Sequence, residues 1–124
     1  VGWRRLVKPV SYHLGVYGAT LHVATTRKAM SALRRKYELA KPDSMGASYL
    51  AVDTKANNAI HLIVWLDSDA IDDGAEMVDL VAHESVHTAA QLLDHIGQAT
   101  TTHDSEALAY LTGWVAARIW ETAA

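Results

Sequence analysis

The pentad His83-Glu84-Ser85-Val86-His87 constrains this chain more than any other feature, because it lies inside a segment whose apolar residues recur at helical spacing from about Ala75 to Leu93. On a helix, residues four apart stand one above the other. His83 and His87 can therefore offer two imidazole nitrogens to one ion. Glu84 lies about 100° further round the helix, near enough to act on a water beside that ion without being a ligand. Val78, Val81, Ala82, Ala89, Leu92 and Ile96 read as a core stripe on the opposite face. Ser85 falls on the packed side, where a small residue permits close approach of a neighbour.

Two neutral nitrogens to hold Zn²⁺ and a carboxylate to take a proton from water are the parts of a hydrolytic zinc site. A tetrahedral catalytic site needs a third protein ligand and one open position. Glu106 is the best candidate, in Asp104-Ser105-Glu106-Ala107-Leu108-Ala109-Tyr110 at the start of a second helical segment, with eighteen residues between it and His87. His103 competes for that role. His95 lies about 12 Å along the axis from His87, too far to share an ion. The polar, Thr-rich linker from Gly97 to His103 spans about 23 Å when extended, enough to return the chain toward the pair.

On these residues the chain resembles the gluzincin branch of the zincin metallopeptidases, whose pattern is HExxH followed by a ligand glutamate on the next helix. The resemblance covers roughly Asp73 to Trp114. In size the chain is more similar to the minimal zincin domains of bacterial and phage genomes. The resemblance implies His83, His87 and Glu106 as zinc ligands, Glu84 as general base, and a peptide or protein as substrate. Other zincin branches match less well: Ala90 and Leu93 stand where a metzincin needs Gly and a third His, and a deformylase would need a Cys that this chain lacks. No motif supplies an oxyanion donor. Tyr110, His103, Tyr49 and His61 are the candidates.

With 124 residues the chain is read as a single domain, 1–124. The net charge of −3 gives no general affinity for nucleic acid, and no apolar run approaches the length of a membrane span. No signal peptide is visible, which points weakly to the cytoplasm. The absence of Cys excludes a disulfide framework and a Cys-based zinc ribbon.

Leu6 to Ala24 reads as one or two strands turning near Gly18, with His13 and His22 as strand-surface residues. Thr25 or Thr26 can cap a helix to about Ala40, its Arg and Lys residues forming a solvated outer face rather than a nucleic-acid or membrane surface. Ala47–Asp53 and Ile60–Leu66 read as a hairpin joined through Lys55-Ala56-Asn57-Asn58, with the second strand covered on both faces. Asp73 and Glu76 form a capping box for the zinc helix, and Asp104 can cap the last helix, which runs to about Glu121. That helix is apolar enough to be deeply packed or to offer a contact surface for a second copy, with Trp114 as a core anchor.

The expected architecture is α+β of zincin type: a small mixed or antiparallel sheet with a backing helix, an HExxH helix and a C-terminal glutamate helix. A non-catalytic zincin-like module that binds zinc for stability or serves interaction is the second reading. Glu84, which a structural site would not need, argues against it.

Overall fold

The computed structural model describes residues 2–98 and 105–124. The elements run β1 (Val10–Leu14), a 3₁₀ turn (Gly15–Tyr17), β2 (Ala19–Ala24), α1 (Arg27–Tyr37), β3 (Gly46–Asp53), β4 (Ala59–Leu66), α2 (Gly74–His95) and α3 (Glu106–Ala123). They build an α+β fold with one mixed sheet in the order β1-β2-β4-β3. β2 and β4 are parallel neighbours at the centre, and β1 and β3 pair antiparallel at the two edges.

Alternation along the central strands explains the layering. Leu21 and Val23 with Ile60, Leu62, Val64 and Leu66 point to one face, where α2 and α3 bury Met77, Val81, Leu92, Leu93, Val115 and Ile119. Ala24, Ile63 and Trp65 point to the other, against Ala29, Met30 and Leu33 of α1. β4 is thus covered on both sides, as its continuous apolar sequence requires.

Local chemistry fixes the boundaries. Pro9 precedes the edge strand β1, and Gly18 takes the left-handed conformation (φ 61°) that turns the chain into β2. The Thr26 side chain accepts the Ala29 amide and starts α1, which stops where Glu38 turns left-handed at φ 57°. Asn57 and Asn58 both take positive φ in the hairpin loop. Asp73 accepts the amides of Ala75 and Glu76 at 2.7 and 3.1 Å, starting α2. Ser105 caps α3, its side chain accepting from Leu108. Asp104, expected in that role, lies outside the described residues.

The side-chain pattern of α2 departs from expectation at three places. Val78, Ala82 and Ile96 are exposed, while the buried stripe is Met77, Val81, Ser85, Thr88, Ala89, Leu92 and Leu93, together with Glu84. The helix turns the pentad's glutamate inward and leaves both histidines outside. No helix among the described residues is long and apolar enough to cross a membrane.

Candidate metal centre

α2 lies over β3 and β4, and α3 lies beside it toward β2 and β1, where Tyr12 Oη and Thr122 Oγ1 hydrogen-bond at 2.7 Å. One flank of α2 therefore faces α3 and the other opens over the β3 edge. His83 and His87 project from the open flank. Their Nε2 atoms stand 3.1 Å apart, with ring centroids at 4.6 Å and planes inclined by 74°. Two nitrogens bound to one zinc at ~2.0–2.1 Å in tetrahedral geometry would be about 3.3 Å apart, so the pair is spaced as two ligands of one ion. Both rings are solvent-exposed, so an ion can reach them.

Glu84 lines the same cleft and is 4% exposed. Its burial depends on the residue across from it. A Cβ built at Gly46 would lie 3.0 Å from Glu84 Oε2 and 2.7 Å from Leu80 Cδ1. Only a residue without a side chain lets the first position of β3 close over the carboxylate.

The cleft in front of the pair is lined by Lys41, Pro42, Asp43 and Ser44 of the α1–β3 connection, Gly46 to Tyr49 of β3, and His83, Glu84, His87 and Gln91 of α2. Burial pushes the Tyr49 phenol pKa upward; Arg34 opposes this, and the carboxylates of Asp43 and Glu84 reinforce it. Tyr49 is thus a protonated donor at neutral pH, and its hydroxyl donates to Ala40 O at 2.9 Å. Of the oxyanion candidates among the described residues it is the one that lines this cleft.

The outer edge of β3 borders the same cleft. Met45 O accepts from Asp67 N at 2.8 Å, so the odd residues of β3 face β4 and the even ones turn their peptide groups outward. Two of those outward carbonyls are already engaged: Gly46 O by Ser44 Oγ at 2.8 Å and Ser48 O by Gln91 Nε2 at 3.2 Å. The peptide groups of Leu50 and Val52 continue the edge beyond them.

The remaining expected residues are placed elsewhere. Glu106 is exposed on the first turn of α3. Among the described residues no group of three His, Cys, Asp or Glu is placed to hold a metal. Glu106 does not line the cleft with His83 and His87 among the described residues. Tyr110 is 78% exposed and lines an apolar groove with His13, Leu14, Val16, Tyr17, Leu111 and Trp114, on the far side from the cleft. Tyr110 does not line the histidine cleft, and Trp114 is half-buried rather than central. His61 packs against Tyr37 of α1 and does not line the cleft. His103 lies outside the described residues. The sequence reading missed Asp43 and Gln91; Gln91 continues the i, i+4 series from His83 and His87, a signal that spacing alone contained.

No family model, curated protein or solved structure matches this chain.

Proposed function

We propose that the protein is a zinc-dependent peptidase whose cleft lies between α2 and the β3 edge. The observation that carries this reading is the convergence of His83 and His87 Nε2 at 3.1 Å in a cleft that the buried residue Glu84 also lines. His83 and His87 would hold the ion, and Glu106 is the ligand that the resemblance assigns to the third position. When bound, the ion would supply Lewis acidity toward a water and a substrate carbonyl. Glu84 would accept the proton of the attacking water and return it to the leaving amine. Its low exposure keeps bulk water from competing for that proton. Tyr49 lines the cleft, and its hydroxyl would have to leave Ala40 O, to which it donates, before it could serve a developing oxyanion.

A peptide substrate is favoured by the edge strand. An extended chain can pair with the outward peptide groups of β3, placing a peptide bond across the mouth of the cleft. The incomplete donor set gives the non-catalytic zinc-binding module its support, and one experiment separates the two. Zinc-loaded protein is incubated with a mixed peptide library and the products are read by mass spectrometry. Cleavage that disappears on chelation and returns with zinc supports the peptidase. Stoichiometric zinc with an intact library supports the module.

A further inference from the structure

On the opposite face of the sheet, three side chains from three strands form a continuous hydrogen-bonded row. Ser11 on β1 and His22 on β2 are direct cross-strand partners, and Ser11 Oγ lies 2.8 Å from His22 Nδ1. His22 Nε2 lies 2.9 Å from Nδ1 of His61 on β4. The two rings are inclined by only 28°, and their centroids are 5.2 Å apart, so the nitrogens meet nearly head-on as an N–H···N bond requires. Tyr37, the last residue of α1, covers the junction with its hydroxyl 3.4 Å from His22 Nε2 and 3.3 Å from His61 Nδ1. Ser11 is exposed while His22 is 9% exposed. The row therefore has one end in solvent and its base held in place.

A hydroxyl within hydrogen-bond reach of an imidazole, itself oriented by a third group, is the arrangement that activates a serine nucleophile. We propose that Ser11 is an activated nucleophile, with His22 as its base and His61 as the positioning residue, able to take an acyl or phosphonyl group from an activated donor. This site is separated from the zinc cleft by the sheet and does not rest on the peptidase reading.

The row can run in either direction, and the proposal takes the one in which Ser11 donates. His22 Nδ1 accepts the Ser11 hydroxyl, so its Nε2 carries hydrogen and donates to His61 Nδ1. As Ser11 Oγ bonds to the carbonyl carbon of an activated ester, the Ser11 proton passes to His22 Nδ1. The alkoxide or phenoxide leaves and then takes that proton. With a fluorophosphonate the Oγ–P bond forms, the P–F bond breaks, fluoride departs and the proton on His22 passes to water. Either product is a serine ester, with no change of oxidation state.

The environment gives this serine a distinctive pH profile. Burial, then His61 and Lys36, hold the His22 pKa down at about 4. Burial and Lys36 likewise lower that of His61, with Asp53 opposing. His22 is therefore neutral, and able to accept a proton, throughout pH 6–8. Reactivity should be flat over that range instead of falling near the ordinary histidine value of about 6.5.

The test uses a fluorophosphonate probe on the full chain, with intact mass and peptide mapping as readouts. One label on Ser11, formed at least about tenfold faster than in the urea-unfolded chain, is expected. Ser11→Ala, at an exposed position, should abolish it with the fold intact, and His22→Gln should slow it to the unfolded rate. His61→Asn, which keeps a polar group at a half-buried site, serves if the His22 variant fails to fold; it should slow labelling and change the pH profile. Labelling at another serine, a native rate no greater than the unfolded rate, or a rate indifferent to both histidines would overturn the proposal.

Discussion

His83 and His87 meet at 3.1 Å on an exposed helix face, whereas His22 and His61 meet at 2.9 Å beneath α1. The nitrogen separations are nearly equal, yet the rings are built in opposite ways. In the exposed pair, centroids only 4.6 Å apart and planes at 74° bend both lone pairs toward a common point outside the rings. In the buried pair, centroids 5.2 Å apart and planes at 28° aim one nitrogen straight at the other. The first geometry suits an ion shared from outside; the second suits a proton shared between. Secondary structure makes the difference: i, i+4 positions on a helix project in the same direction, while neighbouring strands set rings edge to edge.

The largest expected effect tests that contrast directly. His87→Ala should weaken zinc binding by at least about 100-fold, since losing a ligand costs no less than losing an outer-shell partner. His61→Asn should leave zinc affinity unchanged. Competition against a chromophoric chelator measures both, and a zinc loss in the His61 variant would show that the ion chooses the buried pair.

Next in size is an acid sensitivity that belongs to the buried pair. His22 titrates at about 4 in the fold and near 6.5 when unfolded. The unfolded chain therefore takes up the proton first. The stability contribution is complete above about pH 6.5 and is lost as pH falls toward 4, by roughly 2–3 kcal/mol. Urea melts across that window should show the decline in wild type and a shallower one in His22→Gln.

Gly46→Ala tests how the exposed pair is coupled to Glu84, the base we propose. A methyl group there must displace Leu80 and the Glu84 carboxylate. The expected cost is about 1–3 kcal/mol in a denaturant melt, with a larger proportional loss of hydrolysis than of zinc affinity. The smallest effects lie on α3. Trp114→Ala should cost less than the ~3–5 kcal/mol of a fully buried tryptophan, and Tyr110→Phe should stay within about 0.5 kcal/mol, because both line an open groove.

Those last two residues show where sequence reading stops. The pentad, its helix, the Thr26 and Asp73 caps and the two-faced strand β4 were legible because each depends on local periodicity or one short-range hydrogen bond. The burial of Glu84 was not, because it follows from Gly46 arriving from a distant strand. Spacing of four and eight residues puts Glu106, Tyr110 and Trp114 near one helix face, but it does not tell which flank of α2 receives α3. His22 was read as a surface residue because alternation alone does not reveal that α1 ends over it. Its partnership with His61 depends on the parallel pairing of β2 with β4, a contact across 39 residues.

The central claim is that Glu84 works as a base beside an ion held by His83 and His87. Peptide cleavage by wild type and Glu84→Gln, compared at equal zinc occupancy, tests it most directly. The account expects the variant to keep its fold and its zinc while turnover falls by about 10²–10⁴-fold, since the amide keeps the shape but cannot accept the proton. Equal turnover in the two proteins at matched zinc would contradict it.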